Sequence, residues 1–131
     1  MKFIDGKGVV LGRLASYVAK EALKGEEIKI FNCDQIIITG NQKTTEEMFS
    51  KKRNMIGHSQ KGPKHHATSE KLVKRAIRGM LPNFREGRGR EAFKRILCYT
   101  GIPEEFQGKE METLKTDKKI KFSEVRQFTK K

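Results

Sequence analysis

The sequence predicts an α/β domain built on a mainly parallel sheet, and three observations support this fold class. Strand-like apolar runs alternate along the chain with segments of helical periodicity. Their order is strand, helix, strand, strand, helices and strand, which is typical of a parallel sheet with helices on both faces. The 131 residues suffice for one hydrophobic core. We therefore expect a single domain over residues 1–131, with a weakly patterned tail from about residue 104.

The first 40 residues contain three candidate strands and one clear helix. Residues 2–5 and 28–33 contain short apolar runs, and residues 36–38 are three consecutive isoleucines, so each segment predicts a strand. Between the first two strands, apolar residues recur at spacings of three and four over residues 11–23. This periodicity predicts an amphipathic helix, and Gly25 suits the position just after its C-terminus.

Two further helices are expected in the middle of the chain. Thr44 and Glu47 have the spacing of a capping box, which predicts a helix that ends in the basic run at residues 51–53. Residues 57–68 show no apolar period and predict a loop. A longer helix is expected over residues 69–81, because Pro82 cannot continue it. The expected core face of that helix comprises Leu72, Val73, Ala76, Ile77 and Met80.

The last third of the chain is less regular. Residues 84–90 are rich in Gly and Arg and predict a loop, whereas residues 91–95 can form a helical stretch. Residues 96–99 predict another strand, which a Gly-Ile-Pro sequence then ends. A short terminal helix can begin near Ser123, with apolar residues Ile120, Phe122, Val125 and Phe128.

The chain carries a large excess of positive charge. Its 29 Lys and Arg against 16 Asp and Glu give a formal charge of +13, which indicates a polyanionic partner. Most of the excess lies between residues 43 and 95, where 15 cations and 5 acids leave a net +10. No apolar run approaches the ~20 residues that span a bilayer, and no signal-peptide pattern opens the chain. We therefore expect a soluble, intracellular protein with no membrane partner.

Catalytic, metal and cofactor sites find little support in the sequence. Cys33 and Cys98 lack a C-x-x-C pattern and are expected to be two buried thiols. His58, His65 and His66 suggest a metal site, but no acid or cysteine lies near them, and their loop suits phosphate contact better. No nucleophile motif such as G-x-S-x-G occurs. We therefore expect no enzymatic activity, no metal and no cofactor.

The strongest enzyme-like signal is Gly6-x-Gly8-x-x-x-Gly12, which lies between a strand and a helix as phosphate-binding glycines do. Its spacing departs from G-x-G-x-x-G, and no Walker lysine follows. A small nucleotide-binding enzyme that uses this loop is therefore the alternative function. Arg13 lies in the first turn of the helix, where a cation opposes the helix dipole unless an anion lies nearby. An RNA phosphate beside Arg13 and a solvated Arg13 are both consistent with this position.

The helix expected over residues 69–81 carries four cations on one side, with only one acidic residue nearby. These cations are Lys71, Lys74, Arg75 and Arg78. Their mutual repulsion requires a polyanion to offset it. The arginines of residues 85–90 add guanidinium groups, which bind phosphate in a bidentate manner. Aromatic residues do not interleave with these charges, which favours phosphate and shape recognition of folded RNA over base stacking. On these grounds RNA and DNA both remain candidates.

Several sequence blocks together resemble the family of the thirteenth protein of the large ribosomal subunit, in its archaeal and eukaryotic form. Residues 11–20 are similar to the family's opening helix, and residues 36–41 to its strand and turn. The most specific block is Arg78-Gly79-Met80-Leu81-Pro82. It is followed by Gly87-Arg88-Gly89 and by Tyr99-x-Gly101-Ile102-Pro103. The blocks occur in the family's order along nearly the whole chain.

The resemblance implies a three-layer α/β/α fold with a four-stranded, mainly parallel sheet and no enzymatic activity or small-molecule substrate. It also implies a structural role in the large ribosomal subunit, in the cytoplasm, with ribosomal RNA and neighbouring ribosomal proteins as partners. Residues 61–66 only approximate the family's Arg-Gly-Pro-x-His loop. We expect RNA contacts, mainly to phosphates, from Lys7, Arg13, Lys43, Lys51, Lys52, Arg53, Lys61, Lys64, His65, His66, Lys71, Lys74, Arg75, Arg78, Arg85, Arg88, Arg90, Lys94 and Arg95.

Overall fold

The computed structural model describes residues 1–55, 64–114 and 121–129. The strands are β1 (Lys2–Asp5), β2 (Ile28–Phe31), β3 (Ile37–Thr39), β4 (Ile96–Cys98), β5 (Glu112–Thr113) and β6 (Phe122–Glu124). The helices are α1 (Leu11–Leu23), α2 (Gln42–Asn54), α3 (Ser69–Met80) and α4 (Gly87–Lys94). Short 3-10 helices lie at Cys33–Gln35, Glu104–Phe106 and Val125–Phe128. Within these described ranges, no helix is long and apolar enough to cross a membrane.

The central sheet contains four parallel strands in the order β4-β2-β1-β5. In its register, Ile28 of β2 lies between Lys2 of β1 and Ile96 of β4. This sheet confirms the predicted fold class. Its fourth strand, however, is β5, whereas the isoleucine-rich β3 pairs antiparallel with β6 in a separate two-stranded sheet. The hydrophobic pattern of the sequence did not indicate β5, because this strand has only two residues and both are exposed.

Apolar layers cover both faces of the central sheet. On one face, buried isoleucines join apolar residues of α1 and α3 in one core, and these isoleucines are Ile4, Ile28, Ile30 and Ile96. Because side chains alternate along a strand, the neighbouring positions point to the other face. Aromatic rings cluster there with centroids 5.4 to 6.2 Å apart, from Phe3, Phe31, Tyr99 and Phe106. The arrangement is consistent with the expected three-layer order.

Helix α1 packs and ends as its sequence predicts. Its buried apolar stripe comprises Leu14, Ala15, Val18, Ala19 and Ala22. Beyond the last turn, Gly25 has a φ of 105° and its N–H donates to the Ala22 carbonyl at 3.1 Å. The next N–H, of Glu26, donates to the Glu21 carbonyl at 3.3 Å. These two bonds form a Schellman motif, in which glycine takes the left-handed position at no steric cost.

Helix α2 begins earlier than the predicted capping box. The N-cap residue is Asn41, whose side chain accepts a hydrogen bond from the Lys43 backbone N–H at 3.0 Å. The prediction that Thr44 starts this helix was therefore wrong, because Asn is an equally good cap and lies three residues earlier. None of the residues of α2 is buried, and the ring of Phe49 stacks on Phe128 at 5.3 Å. The helix ends in a basic run, as predicted.

The region from α3 to α4 differs from prediction at two points. Met80, expected on the core face of α3, is 47% exposed, because the helix ends there and Leu81 is buried instead. Residues 87–90, expected in a loop, form the first turn of α4. Gly89 makes this possible. A Cβ atom on Gly89 would lie 2.3 Å from the Pro82 carbonyl oxygen, so only glycine allows α4 this close to the turn after α3.

The C-terminal segment folds, but not as the predicted helix from Ser123. Strand β6 includes Ser123, and the 3-10 helix Val125–Phe128 follows it. Val125 and Phe128 are buried, whereas Phe122 is 52% exposed and Ile120 lies outside the described residues. Residues 122–124 pair antiparallel with β3, and this pairing is incompatible with a helix that begins at Ser123.

The two cysteines are free thiols whose side chains interact. Cys33 is fully buried, as expected, whereas Cys98 on β4 is only half-buried, contrary to expectation. A hydrogen bond with the Cys98 side chain, together with burial, raises the pKa of the Cys33 thiol. Cys33 therefore stays protonated at neutral pH and acts as a core residue.

A polar network holds β1 to α1. Lys2 Nζ donates to Glu21 Oε2 at 2.7 Å, and Lys24 Nζ donates to Glu21 Oε1 at 2.6 Å. These bonds, first from Lys2 and then from Lys24, lower the pKa of Glu21 from 4.5 to about 2. On the same helix, Tyr17 donates to Glu112 of β5 at 2.8 Å and so connects the edge strand to α1.

The Glu21→Gln variant tests the contribution of this carboxylate. Because the folded-state pKa is depressed, Glu21 stabilises the fold above pH 4.5, and this stabilisation is lost as the pH falls towards about 2. The difference in unfolding free energy between wild type and variant should therefore shrink between pH 6 and pH 2, as measured by urea denaturation. Glu47→Gln, at an exposed position of α2, is the control and should show no such change.

Two helical glycines provide a matched test of the close approach at α4. Gly89→Ala should lower the free energy of unfolding by about 1–3 kcal/mol, because the added Cβ overlaps backbone that cannot rotate away. At Gly79 in α3, the added Cβ would meet no described atom within 4 Å apart from its own helix backbone and chain neighbours. Gly79→Ala should therefore be neutral or stabilising by up to about 1 kcal/mol. Urea denaturation measures both values. Equal effects of the two substitutions would contradict the role given to Gly89.

Candidate nucleic-acid interface

Helix α3 presents cations to solvent beside its core face. Leu72, Val73 and Ile77 are buried beneath the helix. On the adjoining side, four cations line an open cleft of about 100 Å³, together with His66 and Phe93. These cations are Lys71, Lys74, Arg75 and Arg78, and with His66 and Phe93 they define the cationic cleft. None of the ion pairs among the described residues involves these four cations, so no described carboxylate pairs directly with the cleft.

Phenylalanine rings lie among these cations, so the expectation that aromatic residues do not interleave with the charges was wrong. Lys74 Nζ lies 4.8 Å from the ring centroid of Phe93. The guanidinium carbons of Arg78 and Arg85 lie 4.6 and 5.5 Å from the Phe84 centroid. The two rings are tilted, with centroids 6.2 Å apart. Sequence spacing does not reveal this contact, because α3, the following turn and α4 each contribute part of it.

The segment before α3 is attached to the cleft by a hydrogen bond. Arg75 Nη1 donates to the Lys64 carbonyl at 2.8 Å. Burial, followed by the charge of Arg75 and then those of Lys52 and Arg53, lowers the pKa of His65. His65 is therefore neutral at pH 7 and half-buried, whereas its neighbour His66 is exposed in the cleft.

The histidines also raised the alternative of a metal site. In residues 1–55, 64–114 and 121–129, no group of three or more His, Cys, Asp or Glu side chains is arranged to hold a metal ion. His58 and Lys61, which belong to the expected loop over residues 57–68, lie outside the described residues.

Helix α4 extends the basic surface beyond the cleft. Arg88, Arg90 and Lys94 are exposed along this helix, and Arg85 is exposed in the turn before it. Because Gly87–Lys94 is helical, the side chains of Arg88, Arg90 and Lys94 project from a regular element and not from a loop. We define the α3–α4 surface as the cationic cleft together with Lys64, Phe84, Arg85, Arg88, Arg90 and Lys94.

Two further predicted RNA-binding arginines, outside the α3–α4 surface, contact other elements of the fold. Arg53 Nη2 donates to the Phe128 carbonyl, and its guanidinium lies 5.8 Å from the Phe49 ring centroid. Arg95 Nη1 donates to the Ala22 carbonyl at 3.4 Å near the end of α1. Both side chains are half-buried. Their guanidinium groups hold elements of the fold together, which leaves them less available for a ligand than the exposed cations.

The remaining predicted residues are exposed but lie on other elements. Lys7 follows β1, Arg13 lies in the first turn of α1, and three lysines lie on α2, namely Lys43, Lys51 and Lys52. Lys43 also contributes its backbone N–H to the cap of α2. The basic end of α2 lies close enough to His65 for Lys52 to affect its pKa. This end therefore adjoins the segment that leads into the cationic cleft.

The glycines between β1 and α1 have structural explanations. A Cβ on Gly6 would lie 2.8 Å from Ile36 Cγ1 and 2.9 Å from the Phe31 carbonyl oxygen. Gly6 N–H also donates to that oxygen at 3.0 Å. Gly8 has a φ of 70°, which suits the turn before α1. Packing and turn geometry thus account for Gly6 and Gly8 without a bound nucleotide.

The chain is similar to known proteins over most of its length. The family model described as ribosomal protein L13 matches residues 1–105. The chain is 38% identical to large ribosomal subunit protein uL13 of Archaeoglobus fulgidus, over 95% of this chain and 85% of the relative. It is 39% identical to the Methanococcoides burtonii protein of that name, over 95% and 94%. The Methanocaldococcus jannaschii protein is 46% identical over 79% and 77%.

Substitution of the adjacent residues Lys52 and Arg53 at the end of α2 tests which of the two side chains stabilises the fold. Arg53→Ala should lower the free energy of unfolding by about 1–2 kcal/mol, because it removes a hydrogen bond and a cation–π contact. Lys52→Ala, at the exposed neighbouring position, should change it by no more than about 0.5 kcal/mol. Thermal and urea denaturation measure both effects. A similar loss in the two variants would show that Arg53 has no special structural role.

Proposed function

Because the chain belongs to the ribosomal protein L13 family of the large subunit, we propose that it binds folded large-subunit ribosomal RNA through the α3–α4 surface. The binding is mainly to phosphates, and it supports assembly of the subunit. The observation that carries this proposal is the cationic cleft, where four cations converge without a described carboxylate to neutralise them. Such a concentration of like charge is stable when a polyanion occupies it.

The chemistry of the side chains favours backbone phosphate as the main ligand. Arginine binds phosphate through two parallel N–H groups, and lysine adds a mobile point charge. The Phe93 ring is half-buried and packs against the hydrophobic core, while Lys74 lies above it. The ring face is therefore occupied by a protein cation and is not open for stacking with a base.

Cations outside the α3–α4 surface are proposed as secondary RNA contacts. They are exposed in the turn after β1, on α1 and on α2, and comprise Lys7, Arg13, Lys43, Lys51 and Lys52. A ribosomal RNA that folds around the protein could contact several of these elements together. We further propose that neighbouring ribosomal proteins are partners and that the chain acts by binding rather than by catalysis.

Salt dependence tests the proposed binding mode. If about six phosphates are contacted, log affinity for large-subunit ribosomal RNA should fall with log salt concentration at a slope of about −4 to −5. Filter binding or fluorescence anisotropy at several salt concentrations measures this slope. The double variant Lys71→Ala with Lys94→Ala should reduce its magnitude by about 2, since each lysine contributes about 1.

The matched control replaces two exposed lysines that do not belong to the α3–α4 surface, Lys20 and Lys121. This double alanine variant removes the same charge and should leave the slope nearly unchanged. A wild-type slope near zero, or equal reductions in the two double variants, would contradict the proposed surface. Duplex DNA measured at the same salt concentrations shows whether the preference is for RNA.

A further inference from the structure

We propose that the cationic cleft is a preorganised site for two or more RNA phosphates brought together at a sharp turn of the backbone, and that Phe84 and Phe93 position its cations. The inference rests on the proposed function and deepens it. It names the feature of folded RNA that the cleft recognises and the residues that make this recognition selective.

Charge matching indicates more than one phosphate. Four cations line a single cleft of about 100 Å³, and a phosphodiester carries one negative charge. One phosphate would leave most of their mutual repulsion in place. A regular RNA helix spaces its phosphates along the strand, whereas a sharp turn or junction brings several phosphates into one small volume. The cleft therefore matches the second kind of backbone better than the first.

The aromatic contacts explain how the cations keep a fixed arrangement. Free Lys and Arg side chains lose conformational entropy when a ligand orders them. Here the Phe93 ring lies 4.8 Å from Lys74 Nζ, and the Phe84 ring lies 4.6 Å from the Arg78 guanidinium. Phe93 itself packs against the hydrophobic core. Part of the ordering is thus complete before RNA binds, as preorganisation requires.

The rest of the cleft wall is held in a similar way. Arg75 donates to the Lys64 carbonyl, so its guanidinium is tied to the segment that carries His66. Arg85 lies 5.5 Å from the Phe84 ring, on which Arg78 also packs. Three of the cations of the α3–α4 surface therefore rest on two rings, and these rings contact each other.

Binding of inorganic anions tests, without RNA, whether the cationic cleft holds more than one phosphate. We expect pyrophosphate to bind the full chain at least about tenfold more tightly than inorganic phosphate, because its second phosphate can pair with further cations of the same cleft. Isothermal titration calorimetry at low salt measures both affinities. NMR of arginine side chains locates the site at Arg75 and Arg78. Equal affinities, or chemical-shift changes elsewhere, would overturn this part of the proposal.

The positioning role is tested by variants that keep every charge. Phe84→Leu and Phe93→Leu, separately and together, should lower the preference for large-subunit ribosomal RNA over a paired RNA duplex by about three- to tenfold. The salt slope should stay the same, because the number of cations is unchanged. Phe84→Tyr retains a π face and should restore the preference. A loss of salt slope, or no loss of preference, would overturn the positioning role.

Phe3→Leu is the matched control, because Phe3 is also half-buried with a lysine, Lys109, 5.1 Å from its ring centroid. It should leave RNA preference unchanged. Circular dichroism and urea denaturation establish that each variant is folded before binding is compared. Failure of the proposed function would appear as a flat salt dependence of the wild type. Failure of this inference alone would leave that dependence steep while the phenylalanine variants behave like wild type.

Discussion

The basic surface of this protein depends on the close approach of α4 to the turn that ends α3. At Gly89 the two segments are so near that a Cβ would overlap the Pro82 and Asn83 carbonyl oxygens. Helix α3 is itself fixed by Leu72, Val73 and Ile77, which share one core with α1 and the central sheet. The cations of both helices thus hold their relative positions because the backbones beneath them are tightly packed.

That placement has an electrostatic cost which the rest of the molecule must offset. Two like charges about 6 Å apart near a protein surface repel by on the order of 1–3 kcal/mol, and a domain of this size has a net stability of only about 5–15 kcal/mol. The buried isoleucines of the sheet and the aromatic layer opposite them supply the opposing stabilisation. A ligand that binds only the folded state adds to it. Stability of the free chain and affinity for a polyanion are therefore coupled through the same side chains.

The sequence predicted the elements whose pattern is local and missed those that depend on distant contacts. Apolar periodicity located α1 and α3, and short apolar runs located β1, β2 and β4, because their burial follows the helical and strand periods. Strand β5 has no such pattern and forms because β1 offers it a free edge. The first turn of α4 was missed for a related reason. Glycines usually disfavour a helix, but at Gly89 the packing against Pro82 requires one.

In the candidate site, too, the sequence predicted what depends on local composition and missed what depends on distant contacts. There the difference matters for function. Counting cations indicated a polyanionic partner, but the count treats Arg53 and Arg78 as equals. In the structure Arg53 holds the C-terminal segment through the Phe128 carbonyl, whereas Arg78 packs on a ring at the edge of an open cleft. Net charge determines which class of partner is attracted, because that attraction is long-ranged and insensitive to side-chain geometry. Discrimination among folded RNAs needs cations at fixed separations, and these separations depend on Gly89, Phe84 and Phe93, which carry no charge.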